Sequence, residues 1–137
     1  MYAKYTTVAV SKSKQEIERT IAKYKGDQYA IAVDNSAARA AVQFRIDKWL
    51  VRFEVRLPTN NEENQAVKTR WRALLLAIKA KLESVESGIE SFEEAFLPHL
   101  VMPDGRRFGQ WATPQIQDMR KEGKMPQTLL PPPDAGR

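Results

Sequence analysis

Val67, Trp71, Leu74, Ile78, Leu82, Val85, Ile89, Phe92 and Phe96 are separated only by threes and fours. This spacing puts them all along one side of a single helix of about nine turns. At 1.5 Å per residue that helix is ~50 Å long, whereas a compact domain of 137 residues is only about 35 Å across. The helix must therefore overhang its own domain or break. An overhanging apolar stripe calls for a partner, which makes a homo-oligomer the expectation. A break falls most naturally at Ser87-Gly88, because glycine is costly inside a helix, and it would fold the last turns back onto the rest of the chain.

The segment before the stripe supplies the layer that such a helix needs. Residues 5–10 (YTTVAV) are β-branched and apolar and predict a strand. Lys12 to Lys25 follows as a helix, with Ser13 and Glu16 at capping-box spacing, Ile17, Ile21 and Tyr24 on one face, and Gly26 as its stop. Residues 28–33 predict a second strand. In residues 37–46, Ala38, Ala40, Val42, Phe44 and Ile46 alternate with Arg39, Ala41, Gln43 and Arg45. Asp47-Lys48 predicts a hairpin turn, and Trp49, Val51, Phe53, Val55 and Leu57 alternate with Leu50, Arg52, Glu54 and Arg56. Thr59 and Glu62 predict a second capping box ahead of the long helix.

Beyond Pro98, Met102 to Gly105 predicts a turn. Thr113-Pro114 predicts the start of a short helix ending at Gly123, with Phe108, Trp111, Ile116 and Met119 docking it on the domain. The order β-α-β-β-β-α-α predicts an α+β fold, a small antiparallel or mixed sheet with the long helix packed on one face. Residues 1–125 are expected to form a single domain, and residues 126–137 a proline-rich, partly disordered tail.

Composition narrows the chemistry. There is no cysteine and one histidine, His99. Disulfides and thiolate sites are excluded, and a tetrahedral zinc site is disfavoured. No stretch approaches the roughly 20 apolar residues of a membrane span. No phosphate-cradling glycine loop, zinc-protease helix or nucleophile elbow occurs. Asp27, Asp34, Asp104, Glu93 and Glu94 are carboxylates with no visible convergence, so neither a catalytic residue, a metal nor a cofactor is predicted.

Charge gives the remaining signals. The chain carries 22 Lys and Arg against 17 Asp and Glu, a balance that favours anionic partners. Arg39, Arg45, Arg52 and Arg56 share the polar face of the two alternating strands and, with Arg70 and Arg72 on the long helix, are the candidate contacts to DNA or RNA. The long helix is basic in its first half (Lys68, Arg70, Arg72, Lys79, Lys81) and acidic in its second (Glu83, Glu86, Glu90, Glu93, Glu94), against the preference of the helix dipole. Two such helices could pair antiparallel, so Trp71, Ile78, Val85 and Ile89 are candidate interface residues, joined by Arg106 and Arg107 after the Pro103-Asp104-Gly105 turn. Tyr5, Tyr24, Tyr29, Trp49, Phe53, Trp71 and Trp111 are the aromatic groups available for base stacking; most fall on faces expected to be buried.

The stretch Arg70 to Ile89 (RWRALLLAIKAKLESVESGI), continuing to Phe92 and Phe96, together with Pro103-Asp104-Gly105, Pro114-Gln115-Ile116, Gly123 to Pro126 (GKMP) and Leu129-Leu130-Pro131, resembles a small family of tailed-phage and prophage accessory proteins. The resemblance covers residues 70–131; the N-terminal strands match only in general pattern. It implies an accessory protein acting in the bacterial host cytoplasm, in DNA metabolism, host takeover or counter-defence, and implies no catalytic residue. The expected function is thus non-enzymatic nucleic-acid binding. The alternatives are a protein–protein module inhibiting a host or defence factor, and a nucleotide-binding protein.

Overall fold

Alternation dominates the centre of the chain. In the computed structural model, which describes residues 7–123, it produces an antiparallel three-stranded meander: β1 (Gln28–Asp34), β2 (Arg39–Ile46) and β3 (Trp49–Arg56), in that spatial order. Ile46 faces Trp49 across the Asp47-Lys48 turn. Asp47 takes a left-handed φ of 56°, which suits the twist of a two-residue hairpin. Ala40, Val42, Phe44, Val51 and Phe53 turn to one side and are buried there.

Four helices complete an α+β fold: α1 (Val10–Lys23), α2 (Gln65–Glu86), α3 (Phe92–Phe96), which runs into a 3₁₀ turn at Leu97–His99, and α4 (Phe108–Glu122). The core joins Ile17 and Ile21 of α1, the inner face of β2 and β3, and Val67, Trp71, Leu74, Leu75, Ile78 and Leu82 of α2. α1 lies beside α2 with both N-termini at the same end. Lys14 pairs with Glu62 at 3.0 Å, Glu16 with Arg72 at 2.9 Å, and the Tyr24 hydroxyl approaches Glu86 at 3.5 Å.

The predicted nine-turn helix breaks. α2 stops after 22 residues, about 33 Å. Ser87 is its C-cap and Gly88 has φ 81°. The Gly88 N–H donates to the Val85 carbonyl at 3.1 Å and the Ile89 N–H to the Ser84 carbonyl at 3.0 Å, a Schellman closure that needs a left-handed residue. Ser91 and Glu94 then form a reciprocal capping box that starts α3. Phe96 turns inward, edge-on to Phe44 at 6.0 Å and to Phe53 at 6.2 Å. The break removes the apparent conflict with the dipole for Glu93 and Glu94, which occupy the first turn of a new helix, where negative charge is favourable; Glu83 and Glu86 stay in the last turn of α2.

Other expectations are corrected. The strand over residues 5–10 is not formed in its described part: residues 7–9 have no regular structure and Val10 is already helical and buried. Packing of Val10 in register with Ile17 and Ile21 outweighs its weak β preference. Tyr5 and Thr6 lie outside the described residues, as does the tail of residues 126–137. The Ser13–Glu16 box is not used. With Ala9 at the N-cap, Ser13 is buried inside α1, and its hydroxyl has no hydrogen-bond partner among the described residues. At the other end of α1 it is Lys25, φ 69°, that takes the left-handed position, while the Gly26 N–H donates to the Ile21 carbonyl at 2.9 Å. A Cβ on Gly26 would stand 2.3 Å from Ile21 Cγ2, so this glycine is required by close approach. The Thr59–Glu62 box is likewise displaced: Asn64 caps α2 through bonds from Ala66 N and Val67 N. α4 begins at Phe108, so Pro114 sits inside it, and none of its residues is buried. Trp111, Ile116 and Met119 are exposed rather than docked; the helix is seated only by its first turn, where Gly109 lies against Pro98.

Candidate nucleic-acid interface

The meander puts Arg39, Arg45, Arg52 and Arg56 on the sheet face away from the helices, but it also supplies them with acceptors. Arg45 forms a bidentate pair with Asp27, and Arg39 pairs with Asp34 at 3.4 Å. Arg52 donates to Gln43 Oε1 and to the Gly105 carbonyl, each at 2.9 Å, and lies 3.5 Å from Glu54. Arg107 shares Glu54 at 3.4 Å, and Arg106 turns back on Asp104 at 3.0 Å. Arg56 is the member of the row with no carboxylate partner among the described residues. The three aspartates respond. Asp27 is held below the usual carboxylate range chiefly by the hydrogen bond from Arg45, Asp34 chiefly by that from the Ser36 hydroxyl, and Asp104 chiefly by the Arg106 backbone N–H. These pairs are exposed and individually weak, yet they cancel most of the charge that alternation places on this face.

On α2 the two candidate arginines diverge. Arg70 donates to the Arg56 carbonyl at the end of β3, whereas Arg72 points to α1 and Glu16. Of the candidate interface residues, Trp71 and Ile78 are fully buried and Val85 is packed against the core. The stripe is therefore occupied within the chain, and among these residues only Ile89, 78 % exposed beside the helix break, faces solvent.

The side-by-side packing of α1 and α2 creates a different positive surface. Two adjoining open depressions run along the seam and share Arg19 and Thr20. One is lined further by Lys12, Glu16 and Arg72, the other by Lys23, Tyr24, Lys79 and Glu83. Five cations meet two carboxylates there, and Glu16 is already engaged by Arg72. Lys12, Arg19, Lys23 and Lys79 have no acidic partner among the described residues; Lys23 lies over the Tyr24 ring. Lys12 and Arg19 stand two turns apart on α1 and Lys23 one turn further on; Arg72 and Lys79 come from α2, two turns apart. The seam gives them a common axis, along which separate phosphates could be contacted. Sequence reading singled out Arg72 as a contact, placed Lys79 only in the basic half of the long helix, and missed Lys12, Arg19 and Lys23, because nothing in the local pattern reveals which helix flanks will lie side by side.

His99 is enclosed. Its ring stacks on Phe53 at 4.0 Å between centroids. Burial, reinforced by the charges of Lys81 and Arg107 and opposed by a backbone hydrogen bond with Arg52, depresses its pKa to about 4. It is therefore neutral at physiological pH and serves as a packing group. Among the described residues no three His, Asp or Glu side chains gather where they could hold a metal ion, and no helix is long and apolar enough to cross a membrane.

Comparison of the chain with protein-family models, with curated proteins and with solved structures returns no match.

Proposed function

We propose that the protein binds nucleic acid without catalysing a reaction, with the phosphate backbone lying along the α1–α2 seam. The observation that carries this reading is the set of four cations, Lys12, Arg19, Lys23 and Lys79, that line two adjoining depressions without acidic partners among the described residues. In a chain whose net charge is +5 and whose sheet arginines, Arg56 apart, are paired with acceptors, the seam gathers several unpaired cations side by side. Contacts of this kind read phosphate rather than sequence. The binding expected is non-specific, with Kd on the order of 10⁻⁴–10⁻⁶ M at physiological salt. Taken with the resemblance of residues 70–131, the role is that of a phage-encoded accessory protein in the host cytoplasm.

The test is fluorescence polarisation of labelled single- and double-stranded oligonucleotides across a salt series. Wild-type affinity should fall steeply with salt, with a log–log slope of about −2.7 to −4.5 on duplex, and about −2 to −3.5 on single strands, for three to five neutralised phosphates. Arg19→Glu with Lys79→Glu should abolish binding, while Arg39→Ala with Arg45→Ala should leave it nearly unchanged. Absence of binding at low salt, or loss through the sheet arginines alone, overturns the proposal.

A second reading, an inhibitor of a host or defence protein, is favoured by one observation: Trp111, Ile116 and Met119 form an exposed apolar face on α4. It predicts that Trp111→Ala abolishes the biological effect and leaves oligonucleotide affinity intact.

A further inference from the structure

The outer edge of β1 has the composition and hydrogen-bond phase of a self-pairing strand. The phase follows from β2. The Leu57 N–H donates to the Ala38 carbonyl at 2.8 Å, in the register that sets Arg39 opposite Arg56. Residues 38, 40, 42 and 44 therefore direct their amides to β3, and Arg39, Ala41, Gln43 and Arg45 direct theirs to β1. Their partners on β1 are Asp34, Ala32, Ala30 and Gln28. The N–H and C=O groups of Tyr29, Ile31 and Val33 consequently point away from the sheet, along an edge where the strand is exposed for most of its length.

Among the described residues this edge lacks the usual protection. Strands left at sheet margins are normally blunted by lysine, proline, a bulge or a covering segment. The sequence QYAIAVD has neither lysine nor proline, and its one charge is at the last position. The inner-face side chains are apolar and incompletely covered, with Tyr29 47 % and Val33 38 % exposed. The opposite edge, on β3, is covered by the chain itself: the Val101 N–H donates to the Leu50 carbonyl at 2.9 Å, and Leu100 bridges Val51.

We infer that β1 pairs antiparallel with β1 of a second copy about a two-fold axis at Ile31, joining two meanders into one continuous sheet. In this register Ile31 faces its own counterpart, and Tyr29 of each copy faces Val33 of the other. Every outward N–H and C=O of the three residues finds a partner. The inner-face pairs are all apolar, the stabilising kind for cross-strand neighbours. On the outer face Ala30 meets Ala32, and Gln28 meets Asp34, so no like charges are opposed. The two-fold is perpendicular to the sheet, and both helical layers, each with its basic seam, lie on the same side. The contact is isologous and closes on itself.

The register is testable because the chain has no cysteine. Light scattering of the full chain should give twice the 15.6 kDa chain mass. Under mild oxidation, Ile31→Cys should cross-link to itself, its Cα atoms being about 5.5 Å apart in a hydrogen-bonded pair. Ala30→Cys should fail to link to itself yet link to Ala32→Cys when the two variants are mixed. Tyr29→Lys should shift the mass to monomer with an unchanged far-UV spectrum, and adding Val33→Glu to the same chain should restore the dimer. A monomeric wild type at millimolar concentration overturns the inference. So does a dimer in which Ile31→Cys does not cross-link, or one that Tyr29→Lys leaves intact.

Discussion

The β3 edge of the sheet is closed from within the chain, whereas the β1 edge is left open. On the β3 side, Leu100-Val101 adds a short pairing segment, His99 stacks on Phe53, and Phe96 wedges against Phe44 and Phe53. All three groups arrive there because the chain reverses at Gly88. On the β1 side the backbone has equal capacity to bond, but no segment returns to it among the described residues. The difference lies in chain routing rather than strand chemistry: β1 is more apolar than the polar face of β3, yet it is β3 that is covered. Stability should therefore be concentrated at one margin and association at the other.

The largest effect should come from breaking the closed margin at its wedge. Phe96→Ala removes a fully buried ring and is expected to cost about 3–5 kcal/mol in denaturant unfolding. Loss below 1 kcal/mol would mean that the 92–101 segment does not close the sheet. Next, Leu100→Ala at the covering segment should cost about 2–4 kcal/mol while the proposed β1–β1 association of the variant, measured below the transition, persists. Dissociation there instead would couple the two edges.

A smaller effect should follow from acid. His99 has a folded pKa of about 4, below the ordinary value near 6.5, so the unfolded chain binds more protons between these limits. Its contribution is full above about pH 6.5 and is lost as pH falls through about 4. The loss is on the order of 1–2 kcal/mol once partial exposure and solvent screening are allowed for. His99→Gln should flatten that segment of the stability–pH curve, and an unchanged slope would show that the ring is not desolvated against Phe53. The smallest effect belongs to the open margin: Val33→Lys should change monomer stability by no more than about 0.5 kcal/mol. In the monomeric variant, amide exchange should alternate, slow at Ala30 and Ala32 and fast at Tyr29 and Ile31. Uniform protection would mean that the edge is already covered.

Much of the fold can be read from the residues. Strict alternation in residues 39–46 and 49–56 specifies the β2–β3 hairpin, and the threes-and-fours stripe specifies α2, because both periods are local consequences of backbone geometry. Cap motifs were less informative. Ser13–Glu16 and Thr59–Glu62 have suitable spacing, but Ala9 and Asn64 hold the N-cap positions, since the start of each helix is fixed by which apolar residues reach the core. The candidate seam was the least visible part: Arg19 and Lys79 are distant in sequence, and the basic half of the long helix that holds Lys79 does not show which helix will lie against it. The arginine row was visible as a row, but the carboxylates that neutralise it come from strand ends and a turn that alternation does not describe.

The amino-acid sequence by itself determined an α+β chain with a meander of strands, an amphipathic helix too long for its domain and a glycine where that helix could end. These features depend on interactions over a few residues. Only the tertiary structure decided that the helix breaks at Gly88 and sends Phe96 back to the sheet, that α1 and α2 lie side by side to form a basic seam, and that one sheet edge is covered while the other is open. Each of those outcomes depends on which distant surfaces bury apolar area against one another, a choice made by the whole chain at once.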